Sequence, residues 1–188
     1  MKEFNLAGSL RSEYGKKASK SLRKQELVPC NLYGNGRNVT FTVKVNDVRK
    51  LIYTPDTMIV NLSIDGKECK AVVKELQFHP VTEQLFHIDF LEVTEQKPVT
   101  VEIPVQLEGH AEGVKAGGKL QLVTRKLKVK ALYTNLPDRI VIDVTALGLG
   151  KKLQVADLKF DNLEIVNVKT QIVAQVKATR QSAQAANA

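Results

Sequence analysis

The chain has 188 residues, 43% hydrophobic and 26% charged, a composition that suits one large or two small globular domains and excludes a disordered polymer. With 28 Lys and Arg against 20 Asp and Glu, its formal net charge is +8, so an anionic partner is expected, either nucleic acid or an acidic membrane surface. Cys30 and Cys69 lie far apart and form no Cys-x-x-Cys pair, which gives no support to a zinc ribbon or dithiol redox site and leaves two thiols in a reducing compartment.

Met1 to Ser9 is polar and mixed, without the apolar run of a secretory signal, and no stretch approaches membrane-spanning length. The chain therefore reads as cytoplasmic. A strand is expected over Phe4–Leu10. A short helix follows at Ala18–Glu26, with Ala18, Leu22 and Leu27 near one face. Thr40–Val45 alternates strictly between polar and apolar residues, as a half-buried strand does. Asn46 stands at an N-cap position before a helix at Asp47–Ile52, which Pro55 closes. Met58–Ile64, Asp65-Gly66 and Lys67–Leu76 spell a hairpin, because Asp-Gly supplies the left-handed conformations of a two-residue turn. Gly34-Asn35-Gly36 and Gly117-Gly118 lack phosphate-loop spacing and read as turns.

A strand at Leu85–Val93 ends in a polar Thr-Glu-Gln-Lys stretch before Pro98. This places a first domain at 1–93, a linker at 94–97 and a second domain at 98–179. The second domain shows period two in Val99–Leu107 and Lys126–Ala131. Further strands are expected at Leu120–Thr124, Arg139–Val144 and Thr170–Lys177, with a turn near Val155–Leu158 and a Gly-rich loop at Gly109–Gly118. Residues Arg180–Ala188 are small and polar and read as a frayed tail. The fold class is mainly β with a few short helices, and the alternation argues for antiparallel sheets with one wet face.

Two groups of residues carry chemistry. Arg11, Lys16, Lys17, Lys20, Arg23 and Lys24 fall within 14 residues, with Glu13 as the one acid between them. Gly15 suits a tight bend there, and the Ser19 hydroxyl suits a phosphate oxygen. A loop running into a short helix turns backbone N–H groups and cations toward one place, which attracts phosphate. The bland alternative is a solvated basic loop. The second group is His87-Ile88-Asp89-Phe90. In a strand, His87 and Asp89 share one face while Ile88 and Phe90 take the other. Asp89 then orients the imidazole so that it presents one defined nitrogen to a base edge or a 2′-hydroxyl.

Leu10-Arg11-Ser12-Glu13-Tyr14-Gly15-Lys16-Lys17-Ala18-Ser19 continues through Leu27-Val28-Pro29 to Leu32-Tyr33-Gly34. This stretch resembles the N-terminal signature of the twenty-fifth protein family of the bacterial large ribosomal subunit. Gln77-Phe78-His79-Pro80 with His87-Ile88-Asp89-Phe90 matches it again, and Gly113-Val114-Lys115-Ala116-Gly117-Gly118-Lys119-Leu120 resembles the second domain of the long, general stress protein (CTC) form. The resemblance implies a first domain built as a small β-barrel with two or three short helices, and a second all-β domain. It implies a structural role in the large ribosomal subunit and binding to the loop E region of 5S rRNA through a widened minor groove. It also implies RNA-facing positions at Arg11, Lys16, Ser19, Arg23, Tyr33, His87 and Asp89, with Lys74 and Gln77 on the preceding strand; Lys17 and Lys20 join the RNA-binding set from the basic run itself. Three departures stand out. Lys17 replaces a glycine, which restricts the backbone. Ser21 stands where a second basic residue is common. Cys30-Asn31 stands where more apolar residues are usual.

No cofactor, metal, membrane or small-molecule substrate is expected, and no enzymatic activity. For the second domain, a contact with neighbouring 23S rRNA or ribosomal proteins stays open, with Arg125, Lys126, Lys128 and Lys130 as candidates. Three rivals remain. One is a tRNA-binding β-barrel like the anticodon-recognising domain of glutaminyl-tRNA synthetase. Another is a structural module that binds protein. The last is a metal enzyme using His87 and Asp89, whose third histidine would have to be His110.

Overall fold

Alternating patterns of this density leave one buried row per strand, and eight elements of the first domain close around those rows. The computed structural model describes residues 1–160 and 162–179, so the tail expected at Arg180–Ala188 lies outside the described residues. The chain divides into two units, Met1–Val99 with Leu132–Thr134, and Thr100–Ala131 with the chain from Asn135 onward.

In the first unit the elements run β1 (Lys2–Leu10), α1 (Lys16–Lys24), β2 (Leu27–Gly34), β3 (Arg37–Lys44), α2 (Val45–Ile52), β4 (Met58–Ile64), β5 (Lys67–Phe78) and β6 (Leu85–Glu92). The six strands form a closed barrel in the order β1-β3-β2-β6-β5-β4. Strand β1 closes it by serving two neighbours: Lys2–Gly8 pairs with β4, then Ser9 and Leu10 pair with Thr42 and Phe41 of β3. Inward residues include Leu6, Cys30, Leu32, Phe41, Val43, Leu62, Ile88 and Phe90, and the Phe41 and Phe90 rings meet at 5.7 Å. Val48 and Leu51, three apart on α2, join the same core.

The hairpin at Asp65-Gly66 forms as the sequence predicts, with positive φ at both residues (45° and 82°). Asn35 and Gly36 make the equivalent turn between β2 and β3, at 47° and 75°.

Several expectations need correction. Strands β1 and β4, and β2 and β6, pair in parallel, as do β7 (Val99–Glu108) and β10 (Ile140–Asp143) in the second unit. Alternation reports that one face is buried, not the direction of the neighbour. Strand β2 has no marked alternation, because Val28, Pro29 and Cys30 are all buried. Helix α2 starts at Val45, so that residue is not the end of a strand. Lys44 takes the N-cap position without a side-chain bond, and Asn46 is exposed in the first turn. Helix α1 starts earlier than expected and ends at Lys24. Glu26 is left-handed (φ 58°), and Leu27 belongs to β2.

The second unit holds β7 (Val99–Glu108), α3 (Glu112–Lys115), β8 (Lys119–Leu122), β9 (Lys126–Ala131), β10 (Ile140–Asp143), β11 (Lys152–Gln154), β12 (Glu164–Ile165) and β13 (Ile172–Lys177). They form a four-stranded sheet, β10-β7-β9-β12, and a three-stranded sheet, β11-β13-β8. The short strands β11 and β12 carry too few residues for their periodicity to be read in advance. Among the described residues, no helix is long and apolar enough to cross a membrane.

Candidate nucleic-acid interface

Two bulges in the β5–β6 ladder build the site. Val73 pairs with Phe90 and Glu75 with Asp89, so Lys74 is the extra residue on β5. Gln77 pairs with His87 and Phe78 with Leu85, so Phe86 is the extra residue on β6. A bulge breaks the strict alternation of faces. Leu85 and Ile88 both remain in the core, three residues apart, while Phe86 and His87 between them are only half-buried. Past the second bulge, His87 and Asp89 share the outer face. The His87 Nδ1 lies 3.0 Å from Asp89 Oδ1, which leaves Nε2 as the outward-facing ring nitrogen.

The extra residue, Phe86, is the platform that joins the two groups of site residues. The Arg23 guanidinium carbon stands 4.5 Å above its ring centroid, and His79 meets the same ring edge-on at 5.1 Å. Such stacking orients a guanidinium while leaving its N–H edge available to an anion. The His79 Nδ1 accepts hydrogen bonds from the Val81 and Thr82 backbone N–H groups, which holds the β5–β6 connection in place. Sequence reasoning missed Phe86, because regular alternation would have turned it away from His87.

Helix α1 packs against β2, and its Ala18, Ser19, Leu22 and Arg23 are half-buried. Lys16, Lys17, Lys20, Ser21 and Lys24 are exposed on its other side. Gly15, at φ 99° and ψ 178°, sets the turn into the helix. The helix has no acid in its first turn, so Lys16 and Lys17 add their charge to the positive end of its dipole. Lys17 is helical, so the glycine it replaces is not needed for a left-handed backbone at this position.

Arg11 is held inside the loop it was expected to present. Its Nη2 donates to the Glu13 carbonyl (3.1 Å) and to Ser19 Oγ (3.3 Å), and its guanidinium lies over the Tyr14 ring at 5.7 Å. Its backbone N–H donates to the Thr40 carbonyl. Thr40 stands opposite Asn31, and Asn31 opposite Asp89, so one cross-strand row runs from the Arg11 loop to the carboxylate. Asn31, noted from the sequence only as a departure from the family pattern, and Thr40, not singled out there as a site residue, extend the outer face across three strands. Cys30 and Asn31 thus divide their work: the thiol is buried in the core and the amide faces out.

Tyr33 is two residues beyond Asn31 on the same face. Partial burial raises its pKa, and the negative charges of Asp89 and Glu75 raise it further. Glu75 stands opposite Asp89, and Gln77 donates to Glu75 Oε1 at 3.4 Å. The exposed Lys74 sits at the first bulge. The surface thus has two signs: cations on α1, and carboxylate, amide, phenol and imidazole groups on the strands. Among the described residues, no three His, Cys, Asp or Glu side chains gather as a metal site.

Comparison with known proteins accounts for both units. The model of the ribosomal L25p family matches residues 6–90, and that of the C-terminal domain of ribosomal protein TL5 matches residues 98–180. The chain is 53% identical over 182 residues to large ribosomal subunit protein bL25 of Porphyromonas gingivalis, covering 96% of this chain and 95% of that protein. It is 54% identical over 181 residues to the protein of the same name from Azobacteroides pseudotrichonymphae, covering 96% of each. It is 47% identical over 193 residues to that of Bacteroides thetaiotaomicron, covering 100% and 98%. Identity near one half over nearly the whole chain, with a family model matching each unit, leaves one conclusion: the chain belongs to the ribosomal L25p family, in a form that also carries a TL5-type C-terminal domain.

Proposed function

We propose that the chain is a structural constituent of the large ribosomal subunit, ribosome-bound in the cytoplasm, whose barrel binds 5S rRNA in its loop E region. The observation that carries this reading is the Arg23–Phe86 stack, which brings the cationic helix beside the bulged His87–Asp89 pair on one wall. Lys16, Lys17, Lys20 and Arg23 neutralise phosphates and release counterions, which supplies affinity. Tyr33, Asn31, Gln77, His87 and Asp89 present donors and acceptors to a minor groove wide enough to admit a strand surface, which supplies selection of shape and of 2′-hydroxyls. Lys74 borders this row. Ser19 and Arg11 position α1 rather than reach outward. The role is one of binding and assembly, not catalysis.

Gel-shift titration with 5S rRNA tests the reading. Arg23→Ala and Asp89→Ala are each expected to weaken binding by about 1–3 kcal/mol while the fold stays intact. Arg23→Lys keeps the charge but loses the planar stack, so it is expected to recover only part of the loss. Unchanged affinity in both alanine variants rejects the surface. Preference for tRNA over 5S rRNA in competition would favour the anticodon-domain alternative instead.

A further inference from the structure

Charge in the second unit is sorted between its two sheets. On β9, Lys128 Nζ lies 3.9 Å from Glu102 and Lys130 Nζ lies 3.8 Å from Glu164. Two of the three lysines on the strand with the densest lysine run, part of the candidate partner surface from sequence, are therefore offset by carboxylates of β7 and β12. The three-stranded sheet differs. In its central strand β13, Gln175 stands opposite both Lys152 of β11 and Gln121 of β8, and Lys177 stands opposite Lys119. Residues directly opposite, and residues two apart on one strand, share a face. Lys119, Gln121, Lys152, Gln175 and Lys177 therefore form one polar surface. The other face, with Leu120, Leu153 and Val176, turns into the apolar interior.

The Gln175 amide donates to Gln121 Oε1 at 3.3 Å, which holds the centre of this surface flat. Lys119, Lys152 and Lys177 are exposed, and among the described residues none has a carboxylate within ion-pair distance. The Lys119–Lys177 pair is a like-charge pair directly across two strands, with β-carbons about 5 Å apart, an arrangement that costs stability. Among the described residues, no carboxylate within ion-pair distance compensates it. Lys152, one strand further, is on the order of 10 Å away from Lys119 across the sheet.

We propose that the solvent face of the β11-β13-β8 sheet is a second RNA contact, with Lys119, Lys152 and Lys177 against backbone phosphates and Gln121 and Gln175 against ribose hydroxyls. A polyphosphate fits better than an acidic protein, because the face has no aromatic or arginine anchor of the kind that dominates protein interfaces. Lysines one and two strands apart reach separate phosphates, and the paired amides both donate and accept, as a 2′-hydroxyl requires. This surface is independent of the barrel wall, and the two readings fail separately.

The full chain is titrated with a labelled RNA duplex of roughly 24 base pairs over a range of salt. The variant K119Q/K152Q/K177Q is expected to lower the salt slope by about two to three counterions and to weaken binding at roughly 50 mM salt at least tenfold. The control K126Q/K128Q/K130Q removes the same charge and is expected to weaken binding less than about threefold. Charge-preserving K119R/K152R/K177R keeps the original slope. Single K119Q and K177Q variants, checked by far-UV circular dichroism, each lower the slope by about one. Equal losses in the two triple Gln variants reduce the effect to net charge and overturn the proposal. An unchanged slope in the single variants overturns it too. So does unchanged duplex binding combined with failure to join the large ribosomal particle, which assigns the face to an acidic protein. Arg23→Ala leaves the sheet-dependent part of the slope in place, and its disappearance overturns the independence of the two surfaces.

Discussion

The Arg11 Nη2 donates to the Glu13 carbonyl and Ser19 Oγ while its buried Nε finds no hydrogen-bond partner among the described residues, whereas the guanidinium of Arg23 lies over the Phe86 ring. Two arginines in one basic run thus have different surroundings, and only contacts made after folding separate them. The thiols divide in a similar way. Cys30 has no exposed surface, and burial first, then the negative charge of Asp89, pushes its pKa far above the usual thiol range. Cys69 is half-buried, and burial, with the negative charge of Glu92, raises its pKa as well, but its sulfur is within reach of solvent. Because the thiolate is the reactive form and must also be reached, alkylation of the native protein is expected to label Cys69 first. Cys30 is expected to react on unfolding. Mass spectrometry of peptides after a short pulse of reagent checks this, and early labelling of Cys30 contradicts the buried assignment.

Helix α1 has nine residues, no side-chain cap and no acid in its first turn, so little in its own sequence holds it together. Packing on β2 and the turn at Gly15 do more. The Gly15 backbone conformation is open almost exclusively to glycine, although a β-carbon there would meet nothing within 4 Å. Gly15→Ala is therefore expected to cost about 1–3 kcal/mol through backbone strain alone, read from urea melts. It should also weaken 5S rRNA binding, since it moves the start of the cationic helix. In the second unit, the facing Lys119 and Lys177 carry the opposite signature, a local cost retained on an exposed sheet. Lys177→Gln is expected to stabilise the chain by about 0.2–1 kcal/mol at low salt, with the gain shrinking as salt rises. A loss of stability at low salt would show that the pair is not repulsive.

At the scale of the whole molecule, a net charge of +8 says that a polyanion is welcome but not where. Residues 1–93 hold 14 Lys and Arg against 11 acids, and residues 94–188 hold 14 against 9, so totals do not identify a binding domain. Local arrangement does, because exposed charges act over only about 8–10 Å at ordinary salt. With about four phosphates neutralised by the barrel, raising salt from about 50 to about 200 mM is expected to lower affinity for 5S rRNA roughly 50-fold or more. Filter binding across that range measures the slope. A flat response would mean that hydroxyl and base contacts, not phosphates, supply the affinity.

Much of the fold was legible in the chain. The Asp65-Gly66 hairpin, the alternating strands and the basic run declare themselves because each depends on near neighbours, through turn geometry, period two or local charge density. His87 and Asp89 could be placed on one face for the same reason. Strand direction, the two bulges, the Phe86 platform and the different surroundings of Arg11 and Arg23 could not. Each depends on which distant strand lies alongside, and one extra residue in a ladder is enough to change which side chains meet. The family signature pointed to the surface, but only closure of the barrel brought α1 onto the wall of β6. Local chemistry is written in sequence order, whereas a site built from residues more than sixty positions apart exists only once the chain has paired with itself.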